Sequence, residues 1–408
     1  MSGIVSSSLL EKHGPYGEKN TSMIYPFERR TDIHTCPICA QRCEEPFFTL
    51  ELREKKFLPE KVFLYSCKHC NFVFTAPGDQ ECYDRYYEHC VNDQMTISGQ
   101  PLLDKNRYAI QIDTLSPILE SNSTLKILDI GCGSGGLMEA MELRFPQHDY
   151  IGCDACQQFS IKHPVYEFSN IKKHHIKFDV VIASHFFEHL INLFHYDLDS
   201  ILNNSGILYL EVPDASRYKD FPRREFLYYI DRLHVNHFSV ESLRNLLNRM
   251  NFEVTHAGIN QFEYKDGKDF PALYIFAKKQ RNSSFEPKSE QLALYTSMLT
   301  YISQEKRRAL LGKSFFENKK IVVYGFGDNF FRARENGGPL QGVTIEAIVD
   351  KAYKDLGASK YGAMYKFIDF QTALKDYKDC HFIVCVSFGS EQICNEFRKN
   401  NIINVSVI

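Results

Sequence analysis

The sequence predicts an α/β protein of layered, mainly parallel-sheet architecture, with a small metal-stapled module ahead of it and a second, smaller α/β unit behind. Three observations carry this. From about residue 100 to 280, strand-like and helix-like stretches alternate. Two C-x-x-C pairs precede them, and from Lys319 a second strand–helix series runs to the C-terminus. The reading divides the chain into an N-terminal arm (1–30), a metal-binding module (31–100), the central α/β domain (101–280), a helical linker (281–318) and a C-terminal Rossmann-like domain (319–408).

Composition narrows the class. Of 408 residues, 44% are hydrophobic and 24% charged, which suits a globular chain able to bury two or three cores. The 48 basic and 51 acidic residues give a net charge of −3, without the basic excess of a dedicated nucleic-acid binder. Met1–Leu10 lacks a secretory signal's basic and apolar regions, and no apolar run reaches the roughly 20 residues of a membrane span. Thirteen cysteines, an odd number with four in metal-ligand spacing, point to a reducing cytoplasm rather than to disulfides.

In the N-terminal module, Cys36-Pro-Ile-Cys39 and Cys67-Lys-His-Cys70 form two knuckles 27 residues apart. Four thiolates satisfy tetrahedral Zn(II), and metal binding supplies folding energy that so small a module lacks. No open coordination position is implied, so the zinc is structural. The strand-like Asn71-Phe-Val-Phe74 that follows fits a zinc-ribbon hairpin, with Cys43, His69, Cys82 and Cys90 as substitute ligands.

The central domain opens with Leu125-Lys-Ile-Leu-Asp129-Ile-Gly131-Cys-Gly133-Ser-Gly135-Gly136, an apolar strand running into a glycine turn and then a helix over 137–145. Glycines let backbone amides approach a ligand, and the helix start favours negative charge. Taken alone, the turn also suits a dinucleotide pyrophosphate. Asp129 argues otherwise: a carboxylate there would repel phosphate but attract the α-ammonium of a methionine moiety. The next strand, Tyr150–Asp154, ends in an acid placed to accept ribose hydroxyls.

This pattern resembles the class I S-adenosylmethionine-dependent methyltransferases over about residues 105–278. It continues with Phe178–His185 as the fourth strand, Glu188-His189-Leu190 opening a helix, Gly206–Asp214 as the fifth strand, and Phe238–Leu243 then Asn251–Val254 as the last helix and sixth strand. The resemblance implies S-adenosylmethionine held by Asp129, Gly131, Gly133 and Asp154, with Ser184 nearby and Ser169 and Asn170 beside the adenine. Only 23 residues separate Asp154 from Phe178, so the helix after the second strand is expected to be short or lost.

Transfer to a hydroxyl or an acidic carbon needs a base, and histidine suits neutral pH. The candidates are His185, His189, His234 and His237, placed at or after strand ends. The three-part order is similar to that of the zinc-containing nucleotide-sugar C-methyltransferases. That resemblance puts the family's catalytic histidine on His189 and its tyrosine-rich stretch on Tyr86-Tyr87-Glu88. Its later tyrosine-x-glutamate-histidine cluster falls on Asp231-Arg-Leu233-His234, where only the histidine is kept. The acceptor expected is thus a sugar or nucleotide-linked sugar, of surface-polysaccharide or secondary-metabolite type, with C- and O-transfer both open. Two other functions share these features: a zinc-ribbon RNA methyltransferase and an inactive methyltransferase-fold binding protein.

In the C-terminal unit, Val323-Tyr-Gly325-Phe-Gly327-Asp-Asn329 is half of a nucleotide fingerprint, with Phe330 at the third glycine position. It is read as cleft-forming, with Arg332 and Arg334 either solvated or facing a diphosphate.

Overall fold

The computed structural model describes residues 29–30, 35–76, 78–92, 101–155, 162–263, 269–280, 292–316, 318–386 and 389–408. Most of the expected N-terminal arm, and the polar break at 281–284, lie outside these. Arg29–Arg30 pairs antiparallel with Gly78–Asp79.

The N-terminal module holds β1 (Phe48–Glu51), β2 (Lys61–Cys67), β3 (Phe72–Ala76) and the helix α1 (Gln80–Asn92). Both faces of β3 are buried, and successive side chains point opposite ways. Phe72, Phe74 and Ala76 join the core of the central domain, whereas Val73 joins Leu50, Val62 and Leu64 on the other side.

The central unit runs α2 (Pro101–Leu119), β4 (Lys126–Ile130), α3 (Gly136–Arg144), β5 (Asp149–Cys153), β6 (Val165–Tyr166), α4 (Phe168–Lys173), β7 (Phe178–Ser184), α5 (Leu198–Ile201) and β8 (Leu202–Pro213). Then come β9 (Asn236–His237), α6 (Val240–Arg249), β10 (Phe252–Glu263) and β11 (Asp269–Lys279). Its seven-stranded sheet has the order β10-β11-β8-β7-β4-β5-β6. The strands from β6 to β8 are parallel, and β11 is antiparallel to both of its neighbours. Strand β4 is buried on both faces, as expected of the middle of a covered parallel sheet. Ser239 caps α6 in a reciprocal box with Ser242, and Leu243, Leu246 and Leu247 turn its apolar stripe inward.

One expectation changes here, and one pairing is new. The segment Glu188-His189-Leu190 does not open a helix; it forms one 3₁₀ turn over Phe187–His189. Strand β9, not anticipated from the sequence, lies outside the central sheet. It pairs with β3, so the zinc-module sheet has the order β9-β3-β2-β1 and borrows its outer strand from the central unit. Between β5 and β6 lie residues 154–164, of which 156–161 fall outside the described residues, and the expectation of a short or lost helix falls on them.

The bridging helix α7 (Ala293–Lys313) packs Leu294, Met298 and Tyr301 against the far face of the zinc-module sheet. Behind it the C-terminal unit comprises β12 (Ile321–Tyr324), α8 (Asp328–Arg334), β13 (Ile345–Val349), α9 (Tyr353–Ala358), β14 (Phe367–Ile368), α10 (Phe370–Asp376), β15 (His381–Val384), α11 (Ser390–Lys399) and β16 (Val405–Val407). Its five strands are all parallel, in the order β14-β13-β12-β15-β16. Among the described residues, no helix is long and apolar enough to cross a membrane.

Candidate active site

The glycine turn leaves β4 at its carboxyl end. Gly131, Gly133 and Gly135 all have positive φ, at 73°, 52° and 79°. At Gly131 the constraint is double, because a Cβ would stand 2.3 Å from the Phe186 ring. At Gly133 a Cβ would meet nothing within 4 Å, so the turn keeps open space on that side. The Gly133 amide donates to Asp154 Oδ2 at 2.9 Å, which ties the end of β5 to the turn.

Asp129 is 3% exposed. Burial pushes its carboxyl up to about 7, the Asp154 charge adds to this, and Arg107 opposes it. A buried carboxyl of this kind fits a cationic ligand group, whose charge would let it ionise. The open turn at Gly133 and the acid at Asp154 complete a set that suits S-adenosylmethionine. Ser169 and Asn170 occupy the start of α4, directly beyond β6; Ser169 is exposed and bonds Glu167. Ser184 ends β7 and accepts a hydrogen bond from Gln111 of α2 at 2.6 Å.

The four histidines divide into three places. His185, in the left-handed region at φ 50°, has Nε2 3.2 Å from Glu211 and Nδ1 3.4 Å from Glu188. Burial disfavours its charge, but these two carboxylates outweigh that and raise its pKa. Glu211 is fully buried and also accepts from Tyr209 Oη at 2.7 Å, Asn260 Nδ2 at 2.5 Å and Gln111. Burial opposes its ionisation, yet His185 and these donors hold it below the usual carboxylate range. This network lies beneath the site and supports the turn after β7. Gln111, Glu211 and Asn260 were missed in the sequence, although an acid inside the apolar run Ile-Leu-Tyr-Leu-Glu-Val was a usable signal.

His189 and His234 come together, with ring centroids 4.9 Å apart. His189 Nδ1 lies 3.0 Å from the Leu233 carbonyl, which can only accept, so Nδ1 carries the hydrogen and Nε2 the lone pair. Tyr87 Oη, from α1, stands 3.1 Å from the same Nδ1. Burial lowers the His189 pKa, against the pull of Glu188. Asp231 receives the amides of Leu233 and His234 at 2.7 and 2.8 Å. Its burial is outweighed by His234, Arg332 and these amides, which bring it down to about 2.

His237 stands apart, which corrects its grouping with His234. It is fully buried in β9, paired with Val73, and its ring faces Tyr218. The alternation along a strand sends it into the shared core while His234, three residues earlier, stays at the site.

Cys36, Cys39, Cys67 and Cys70 place their sulfurs within 4.8 Å of one another. Two of the separations are 3.5 and 3.4 Å. A tetrahedron with Zn–S bonds of about 2.3 Å has edges of about 3.8 Å, so the set fits zinc. Helix α6 grips both knuckles, Asn245 bonding the Cys70 carbonyl at 3.1 Å and Arg249 the Ile38 carbonyl.

The two-glycine loop of the C-terminal unit turns toward the zinc module. Its Phe326 carbonyl accepts from Arg53 at 3.0 Å, and Asp328 pairs with Lys55 at 3.2 Å and Arg232 at 2.7 Å. Arg332 and Arg334 are neither solvated nor aimed at a diphosphate: Arg332 bonds Asn329 and the Ile230 carbonyl, and Arg334 the Leu340 and Val343 carbonyls.

Residues 103–257 match the sequence family described as a methyltransferase domain. No protein of curated function matches the sequence. Among solved structures, a 1,6-didemethyltoxoflavin-N1-methyltransferase from Burkholderia thailandensis, with bound 1,6-didemethyltoxoflavin and S-adenosylhomocysteine, is 12% identical; the match covers 58% of this chain and 100% of the other, at a TM-score of 0.37. A plantazolicin methyltransferase with a monoazolic desmethyl analogue and S-adenosylhomocysteine is 17% identical, covering 50% and 96%, at 0.36. An S-adenosylmethionine-dependent methyltransferase from Methanosarcina mazei is 20% identical, covering 41% and 98%, at 0.32. The family match and the parallel-dominated sheet together make the central unit a Rossmann-like, class I S-adenosylmethionine-dependent methyltransferase domain.

Proposed function

We propose that this enzyme methylates a sugar or a nucleotide-linked sugar, with a structural Zn(II) on Cys36, Cys39, Cys67 and Cys70. The observation that carries the acceptor reading is the convergence of Tyr87, His189 and His234 from three separate segments. These are the positions onto which the nucleotide-sugar C-methyltransferase resemblance maps its tyrosine-rich stretch and its two histidines. Where that family has a glutamate, Leu233 stands, and its backbone carbonyl orients His189 instead.

In this reading Asp129 faces the amino group of the cofactor, the Gly131–Gly133 turn its carboxylate, and Asp154 its ribose; Ser184, Ser169 and Asn170 border the same crevice. S-adenosylmethionine supplies an electrophilic methyl group on a sulfonium. The chain's part is to align the acceptor with it and to receive one proton from the acceptor hydroxyl or carbon. The ring nitrogens of His189 and His234 are the groups placed for that, with Tyr87 beside them. His185 acts beneath, holding Glu188 and Glu211 in place rather than touching the acceptor.

The test is transfer of a labelled methyl group from S-adenosylmethionine to a panel of nucleotide-linked sugars, free sugars and structured RNA. Labelling of a sugar, reduced at least 100-fold in His189→Ala, is expected. Labelling of RNA alone, or of nothing despite cofactor binding, overturns the acceptor assignment.

A further inference from the structure

The acceptor end holds a group that proton transfer alone does not account for. Glu188, His189 and His234 each place one ligand atom within 4.8 Å of the others. Glu188 Oε1 lies 3.8 Å from His189 Nε2. A tetrahedral N/O site with bonds of about 2.1 Å has edges of about 3.4 Å, so a small side-chain rotation closes the difference. We propose that Glu188, His189 and His234 form a second metal site, distinct from the four thiolates, that takes a first-row divalent cation such as Zn(II) and leaves coordination positions open for an oxygen of the acceptor.

Three further observations point to a ligand. Glu188 is 1% exposed, and its Oε2 accepts no hydrogen bond among the described residues. His234 Nδ1 is likewise buried without a hydrogen-bond partner. A buried carboxylate oxygen left bare costs free energy on the scale of a lost charged hydrogen bond, which a metal bond would recover. Third, the orientation of His189 is that of a metal ligand: its far nitrogen donates to a backbone carbonyl, which fixes the tautomer and aims the Nε2 lone pair at Glu188.

The chemistry of the set selects the ion. Two imidazoles and one carboxylate favour Zn(II), Fe(II), Co(II) or Ni(II) over Mg(II) or Ca(II), which prefer all-oxygen sites. Three protein ligands are one short of a closed structural zinc site and match the count of open ones. With the ion bound, the coordinating nitrogens of His189 and His234 act as ligands and no longer receive the acceptor's proton; a dication bonded to a hydroxyl or keto oxygen raises the acidity of the acceptor, so that this proton passes to solvent. The proposal rests on the sugar reading only for the identity of that oxygen.

The test uses tag-free, full-length protein with the thiolate site filled by zinc. Co(II) titrated into it should bind at one further equivalent per chain. Its visible spectrum should show ligand-field bands without thiolate-to-cobalt charge transfer. Glu188→Gln should weaken this uptake 10-fold or more, and His189→Ala with His234→Ala at least 100-fold, with circular dichroism confirming the fold. No second equivalent in the wild type, or uptake unchanged in the double variant, overturns the proposal. Because the wild-type titration needs no variant and no acceptor, its outcome is separate from that of the labelling experiment: cobalt uptake without sugar methylation removes the acceptor assignment and keeps the metal site.

Discussion

Asp129 gives the most exacting test, because its environment turns cofactor binding into a pH measurement. Its carboxyl is raised to about 7 by burial first and by the neighbouring Asp154 second, with Arg107 pulling the other way. Cys132 and Cys153 also face it, and burial keeps both thiols neutral far above this range. A ligand ammonium favours the ionised form, so the carboxyl must become more acidic when the cofactor binds. Below about 7 the free protein therefore has to lose a proton on binding, and affinity should fall about tenfold for each pH unit between 7 and the lowered value. If binding returns the carboxyl to the ordinary 3.8, the interval is about three pH units, or roughly 4 kcal/mol.

The same shift acts on stability with a stated sign. The unfolded chain ionises near 3.8 and the folded, cofactor-free one near 7, so stability contributed by this group is present below 3.8 and lost as pH rises toward 7. Calorimetry with S-adenosylmethionine or S-adenosylhomocysteine from pH 5.5 to 8, in buffers of different ionisation enthalpy, reads affinity and proton release together. Asp129→Asn should flatten the slope and weaken binding about 10- to 150-fold at pH 8, the worth of a charged hydrogen bond. A wild-type affinity constant across pH 6–8, or the same slope in the Asn variant, would refute the assignment.

Other outcomes follow from the packing. Cys67→Ser should remove thiolate-bound zinc and lower the melting temperature of the central domain as well, since β9 and α6 are built into both; metal analysis alongside scanning calorimetry checks this. Arg232→Ala strips partners from Asp328, Arg53 and Pro59 at a site 1% exposed. A loss of about 3 kcal/mol is expected in denaturant titration. Gly131→Ala and Gly133→Ala make a matched pair. Both force a non-glycine residue to positive φ, at about 1–2 kcal/mol, but only the first also collides with Phe186. Thermal melting should therefore fall clearly further for Gly131→Ala.

What the sequence revealed is what is local in the chain. Asp129, the glycine turn and the acid at Asp154 lie within 26 residues, and their order follows from strand, turn and helix periodicity. The two cysteine knuckles are legible for the same reason. The features that escaped are pairings across long separations. Strand β9 has only two residues, too few to show a period, and its partner β3 lies far back in the chain. Gln111 reaches Glu211 from α2, a hundred residues earlier in the chain. Arg332 shows most plainly why charge patterning fails here. In sequence it is a helix-start cation beside a glycine loop; in the structure it is 5% exposed and bonded to a carbonyl of the central unit.

These long-range pairings decide where the acceptor end is built. Tyr87 comes from the helix behind the zinc module, Glu188 and His189 from the turn after β7, and Asp231 and His234 from the segment leading into β9. That segment is held twice. Arg232 is anchored to Asp328 of the C-terminal unit, and Asn236 and His237 are anchored to β3, whose preceding turn carries Cys70. A one-residue slip of β9 would exchange the two faces of the strand, exposing His237 and displacing His234 from His189. The thiolate cluster can therefore influence methyl acceptance without touching the acceptor: by fixing the turn that sets β3, it fixes the register of β9 and the position of His234. Zinc removed from the thiolates should thus weaken transfer to the acceptor more than binding of the cofactor, because Asp129 and the glycine turn hang from β4, on a different sheet.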